Sequence, residues 1–375
     1  MHRRALPPVP RCRVPLRVLH VCESTVGGVG AVLVDLVSAQ AARGWSVTVA
    51  APADDRLVAA GATVHPWDPG PRPGPGLPAA LRAVRSAVRE ADPDVVHLHS
   101  SMAGLCGRLV VRRRRPTVLQ PHSWSFWARA GAAGRAALAW ERAGARWTDV
   151  VLCVSEDERR AGEAAGVRAR YAVVPNGVDL ARFPAASDDD RRAARAALGL
   201  GDGPLAVCVG RLHRQKGQHL LLDAWPAVRA AVPGARVALV GEGPDRPELE
   251  ARAVDGVLLA GATSGVQTWL AAADVVVQPS VWEGMALSVL EAMASARSVV
   301  ATDVSGMREV LGEGAGALVP REAGPLAGAV AARLHDPLLA AQEGRRGRAL
   351  AEERHDLAGA VDGVLALTAQ LAGRA

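Results

Sequence analysis

Short runs of valine and leucine alternate with helix-patterned stretches along the chain, and this alternation constrains the fold more than any other feature. "PLRVLHVCE", "WSVTVAAP", "PDVVHLHS", "PTVLQPHS", "TDVVLCVSE" and "RYAVVPNGVD" read as strands, separated by stretches such as "AVLVDLVSAQAARG" and "AALRAVRSAVREA" with helical spacing. Runs that are apolar at nearly every position predict parallel strands covered on both faces, because a sheet with one wet face would alternate. After "DLARFPAASDDD" the pattern restarts with "PLAVCVGRL", "ARVALVGEGP", "GVLLAG", "DVVVQPS" and "SVVATDV". The expectation is an α/β chain of two doubly wound, Rossmann-like parallel-sheet domains facing a central cleft, residues 1–180 and 181–375. The last helix is expected to pack back on the first domain. In such sheets ligands bind beyond the carboxyl ends of the strands, so the loops there are the candidates for function.

Composition removes several classes of function. At 375 residues, 49% hydrophobic and 22% charged, the chain can bury two cores and is not a disordered tail. No apolar run approaches the roughly 18 residues of a membrane span, and prolines and arginines break up the N-terminal stretch where a secretory leader would need an apolar core. The five cysteines (Cys12, Cys22, Cys106, Cys153, Cys208) show no zinc spacing. Cys22, Cys153 and Cys208 lie in apolar runs, as buried thiols of a reducing compartment do. A cytoplasmic protein is expected.

The net charge is +6 and the pI about 9.7. The run Arg112–Arg115 reads either as a solvated helix end or as a weak contact with anionic lipid at the inner membrane face. In the second case Trp124, Trp127, Trp140 and Trp147 are its interfacial partners; in the first they pack the core. No aromatic-interleaved basic motif points to nucleic acid.

Against this arginine-rich background some residues stand out by rarity. There is no isoleucine, one lysine (Lys216), one asparagine (Asn176) and one tyrosine (Tyr171). Lys216 follows Arg211 in "VGRLHRQKGQ", at a strand-to-helix junction. Two cations beside free helix N–H groups make a diphosphate clamp, although no P-loop sequence is present. Asn176 in "PNGVD" reads equally well as a turn residue. "VGGVG", including Gly28, opens a helix after the first strand and suits an anion. The third glycine of a dinucleotide fingerprint is missing.

"SVWEGMALSVLEAMASA" places Glu283 in a loop and Glu291 on the helix that follows, expected over 286–296. The N–H groups of Met285, Ala286 and Leu287, after Gly284, suit a phosphate. Glu291 can accept two vicinal hydroxyls, as on a ribose, which leaves Glu283 for a sugar. Alone, two such glutamates are as well explained by a solvated helix face.

Taken together, "GGVG", "PHSW", "VPNGVD", "VGRLHRQKG", "LVGEGP" and "VWEGMALSVLEAMASA" through "VVATDVSGMREVL" resemble glycosyltransferase family 4, retaining enzymes of the GT-B fold. The motifs span residues 16 to about 320, in the family's order. The resemblance implies a nucleotide-sugar donor, UDP- or GDP-linked, on the C-terminal domain. It implies a hydroxyl acceptor on the N-terminal one: a glycan, a lipid-linked group or a small molecule. Arg211 and Lys216 match the diphosphate contacts, Glu283 the transferred sugar's glutamate and Glu291 the ribose glutamate. His122 matches the active-site histidine facing the donor sugar, and Gly28 the glycine near the phosphate. Gly261, Ala262 and Thr263 fall where the family holds the base. The family usually carries glycine where Ala296 stands. The resemblance implies neither a metal nor a cofactor. A nucleotide-sugar 2-epimerase-like enzyme and a non-catalytic nucleotide-binding protein of the same shape remain the alternatives.

Overall fold

The structure is a computed structural model that describes residues 15–70, 72–312 and 314–373. Cys12 and the N-terminal arginines lie outside the described residues. The chain divides into two compact units. The first ends at Pro175 and takes up the chain again from Gly359; the second is Asn176–Ala358.

The first unit is built on a seven-stranded sheet in which every pairing is parallel, in the order β3-β2-β1-β4-β5-β6-β7. Its strands are β1 (Arg17–Cys22), β2 (Ser46–Ala51), β3 (Thr63–Pro66), β4 (Val95–His99), β5 (Thr117–Gln120), β6 (Val150–Cys153) and β7 (Tyr171–Val173). β4, β5 and β6 are buried along their whole length, as strands covered on both faces are, the polar His97, His99, Thr117 and Gln120 included. Val364, Leu365 and Leu371, on the last helix Leu357–Ala372, bury themselves with Leu36, Val118, Val150 and Leu152 of this unit.

The second unit carries six parallel strands in the order β10-β9-β8-β11-β12-β13. They are β8 (Leu205–Val209), β9 (Arg236–Val240), β10 (Val257–Gly261), β11 (Val275–Gln278), β12 (Ser298–Thr302) and β13 (Gly316–Val319). Its core is centred on Trp225, Val237, Leu239, Val277 and Val300. The strand order reverses between β1 and β4 in the first sheet and between β8 and β11 in the second. A crevice opens at such a switch point, beyond the carboxyl ends of the strands.

Two helices follow from caps that strand periodicity does not reveal. Ser155 accepts from the Glu158 N–H and starts the helix Glu156–Ala164. Ser187 and Asp190 form a reciprocal capping box at Asp188–Ala197. The four described cysteines, Cys22, Cys106, Cys153 and Cys208, are all buried free thiols. Trp124 is buried and donates from Nε1 to the Glu158 carbonyl, so it belongs to the core and not to an interface.

Candidate functional site

At the switch point of the second sheet, the loops after β8 and β11 are tied to each other. The Gln215 carbonyl accepts from Val281 N–H at 2.7 Å, and Gln215 Nε2 donates to the Trp282 carbonyl at 3.2 Å. Gly217, with φ +68°, lies so close that a Cβ there would stand 1.9 Å from the Pro279 carbonyl oxygen. Only glycine permits both the positive φ and this approach.

Lys216 is thereby carried to Glu283. Its Nζ donates to Glu283 Oε1 at 2.7 Å, and the same oxygen accepts from Ser280 Oγ at 2.7 Å. Ser280 Oγ accepts in turn from Gln278 Nε2, Gln278 Oε1 accepts from Ser288 Oγ, and Thr302 Oγ1 donates to the Ser280 carbonyl. The sequence places Glu283 in a loop; in the structure the residue is 5% exposed and anchored, because a carboxylate so deeply buried is stable only when paired and hydrogen-bonded. Its Oε2 and two of the three Lys216 ammonium hydrogens take no partner from the described residues.

The following helix runs Leu287–Ala294, shorter than the expected 286–296. Ala286 is its N-cap, and no side chain caps the free N–H groups. Gly284, Met285 and Ala286 are buried. Asn176 holds this loop, donating from Nδ2 to the Met285 carbonyl at 3.1 Å, while its own carbonyl accepts from His355 Nδ1. The sole asparagine is therefore more than a turn residue. Glu291 lies a little over one turn into the helix. Burial raises its pKa to about 7, against the pull of Arg182 and Lys216.

Arg211 is exposed at the same strand-end region, its carbonyl accepting from Gln218 Nε2. Gly261 ends β10 with φ +78°, and a Cβ on it would come 3.3 Å from Glu242 Oε1. Ala262 and Thr263 continue into an exposed loop, where Thr263 Oγ1 accepts from the Gly265 N–H. Lys216, Glu283 and Glu291 are thus one cluster of the second unit, with Arg211 on the neighbouring β8 loop.

Gly28 and His122 belong to the first unit. Gly28 is exposed in the first turn of the helix Gly27–Ala42. His122 follows β5 with φ +57°, a left-handed conformation that a residue with a Cβ adopts only when its surroundings hold it there. Its Nε2 lies 3.0 Å from His99 Nδ1, and His99 Nε2 lies 2.9 Å from His20 Nδ1. His20 Nε2 in turn lies 2.8 Å from Gln40 Oε1. His97 stacks on His99 with ring centroids 4.2 Å apart and bonds Gln120.

The sequence reading singled out none of His20, His97, His99 and Gln40. The available signal was a histidine inside an otherwise apolar strand, twice on one face in "VVHLHS". His20, His97 and His99 are close enough to suggest a metal site. Both ring nitrogens of His20 and His99 are already engaged, however, so a metal would have to break existing hydrogen bonds. Desolvation holds these rings neutral: His20 and His122 fall to about 4, and His97 and His99 lie well below the usual histidine range.

Comparison with known proteins agrees in both halves. Residues 26–182 match the model described as Glycosyltransferase Family 4, and residues 203–336 match Glycosyl transferases group 1. The chain is 32% identical to an alpha-maltose-1-phosphate synthase of Mycolicibacterium smegmatis over 375 aligned positions, covering 90% of this chain and 93% of that one. It is 33% identical to the lipopolysaccharide core biosynthesis mannosyltransferase LpsB of Rhizobium meliloti, covering 64% of this chain and 69% of the relative. In fold it is similar to Anabaena Alr3699/HepE, solved in complex with UDP and glucose, with a TM-score of 0.80 at 24% identity over 93% of this chain and 98% of that one. With its two parallel-sheet, Rossmann-like domains of GT-B type, the chain belongs to glycosyltransferase family 4.

Proposed function

We propose that the protein is a retaining glycosyltransferase that moves a sugar from a nucleotide-diphosphate sugar, UDP- or GDP-linked, to a hydroxyl acceptor on a glycan, a lipid-linked group or a small molecule. The observation that carries this is the Lys216–Glu283 pair at the second sheet's switch point, beside an uncapped helix N-terminus and within reach of Glu291's charge. In this assignment Lys216 keeps its bond to Glu283 and turns its remaining hydrogens to the diphosphate, with Arg211 as second cation. Glu291 accepts the ribose hydroxyls. Glu283, held by Lys216 and Ser280, offers Oε2 to the transferred sugar. The leaving diphosphate gains its charge between fixed donors, so the residues present suffice without a metal.

For the protein's surroundings we propose the cytoplasm, with weak contact to anionic lipid. Among the described residues no helix is long and apolar enough to cross a membrane. A cavity of about 830 Å³ at the amino ends of β6 and β7 is lined by Arg113, Arg146, Arg168 and Arg170. Arg112 and Arg146 stack on Trp147 beside it. This is chemistry for a lipid phosphate, at the end of the sheet away from the loops that carry the reaction.

A thermal-shift panel of UDP-, GDP- and ADP-sugars tests the donor assignment. One nucleotide class should stabilise the wild type and not the Lys216→Ala variant. Stabilisation by none of them, or equally of both proteins, contradicts the assignment.

A further inference from the structure

The contacts Gln40–His20–His99–His122 form an unbroken file through the first unit, from the helix Gly27–Ala42 across β1 and β4 to the loop after β5. Each contact needs one hydrogen and one lone pair. A neutral imidazole has one of each. With every ring neutral, only two patterns satisfy the whole file: all hydrogens point toward Gln40, or all point away. A cation at His20 or His99 would break the pattern, and the packing opposes it. The rings are desolvated, and His97 lies face-on against His99 with its own Nε2 turned to Gln120.

The Gln40 amide chooses between the two. Its oxygen faces His20, which requires a hydrogen on His20 Nε2, and its own Nε2 is left buried without a partner among the described residues. His20 Nδ1 is then bare and must accept from His99 Nε2. His99 Nδ1 must accept from His122 Nε2, so His122 Nδ1 is left bare. Among the described residues that nitrogen has no partner, and it is not closed off from solvent. The pattern places all three rings in the Nε2–H form, the more stable tautomer of a free neutral histidine side chain. Gln120 Oε1 faces His97 Nε2 in the same sense.

We infer that Gln40, His20 and His99 are positioning residues that lock the tautomer of His122, so that it meets its ligand with Nδ1 as a hydrogen-bond acceptor from a hydroxyl. The file ends on an amide, which takes up no proton, so it is not a proton path. His122, desolvated like the rest of the file, therefore acts as a fixed neutral acceptor. The ligand part of this inference rests on the assignment of His122 to the transferase site; the tautomer part does not.

The test is long-range ¹H–¹⁵N NMR on the full chain with ¹⁵N-labelled histidine, His122 being assigned by its loss in His122→Ala. Wild-type His122 should carry its hydrogen on Nε2 alone. Gln40→Met and His20→Leu, each checked for an unchanged nucleoside-diphosphate affinity, should lose that single tautomer. Both variants should also lower kcat about tenfold or more, as losing a histidine's orienting partner does elsewhere. A wild-type ring protonated on Nδ1, or one tautomer unchanged in both variants, overturns the inference. If the tautomers behave as described but the wild type transfers no sugar, the functional assignment fails and the lock stands.

Discussion

Lys216 Nζ and Glu283 Oε1 stand 2.7 Å apart, although 66 residues separate them in the chain (283 − 216 − 1), and Ser280 donates to the same carboxylate oxygen. Two residues joined in this way should not act independently. Lys216→Ala should remove about 2–4 kcal/mol of transition-state stabilisation, the scale of one lost preorganised donor. Lys216→Arg should restore only part, because a planar fork does not replace a point charge. In a double-mutant cycle on kcat/KM, Lys216→Ala and Glu283→Ala should fall well short of additive. Strict additivity would mean that the pair is not a functional unit.

The two glutamates should separate by assay. Glu291→Ala should weaken free nucleoside diphosphate and whole donor alike, while Glu283→Ala should leave free nucleoside diphosphate affinity nearly intact and lower kcat. Calorimetric Kd beside kcat for each variant gives the answer. The opposite pattern would exchange the two roles.

Glu291 also implies a pH dependence. Burial raises its pKa to about 7, so near neutrality part of the free protein holds it protonated. The ionised form accepts more hydroxyl hydrogens, so nucleoside diphosphate should bind more tightly as pH rises from about 6 to about 8. Glu291→Gln should lose this slope, leaving only that of the phosphate itself. An identical slope in both proteins would remove Glu291 from the ribose.

Ala296 is the αL residue that closes the helix Leu287–Ala294. Its φ is +54°, its N–H donates to the Met293 carbonyl, and the Arg297 N–H donates to Ala292. These are the two bonds of a Schellman cap, where glycine is favoured. Ala296→Gly should stabilise the protein by about 0.5–1 kcal/mol in urea unfolding, with the m-value unchanged. A lower midpoint would show that the Ala296 methyl contributes more by packing than its φ costs.

Asn176→Ala should leave the buried Met285 carbonyl without its donor and cost about 1–3 kcal/mol of stability. Urea midpoints of wild type and variant measure this. No change would mean that the loop is held without the amide.

The fold was legible because parallel strands buried on both faces must be apolar at almost every position, as β6, β8 and β11 are, while β4 and β5 add the buried polar residues His97, His99, Thr117 and Gln120. Helices started by caps rather than by apolar periodicity escaped, as at Ser155 and Ser187. The chemistry of the candidate site was legible as residue types: one lysine, two glutamates, a histidine after a strand. Partners remote in sequence were not. Lys216 with Glu283, Asn176 with Met285 and Gln40 with His20 depend on which strand ends adjoin and which side chains are too deeply buried to remain unpaired. At Ala296 the sequence offered only the family's usual glycine; the αL conformation is seen in the structure.

The central claim is transfer of sugar from a nucleotide diphosphate to a hydroxyl. The direct measurement is release of nucleoside diphosphate from the donor selected by thermal shift, with and without a hydroxyl acceptor, in the presence of a chelator. The anomeric configuration of the product is read by NMR. Acceptor-dependent release that survives the chelator, yields a product with the donor's anomeric configuration and falls sharply in Lys216→Ala is the predicted result. Release of nucleotide without a glycosylated product, conversion of the donor to its 2-epimer, or equal turnover by Lys216→Ala would contradict it.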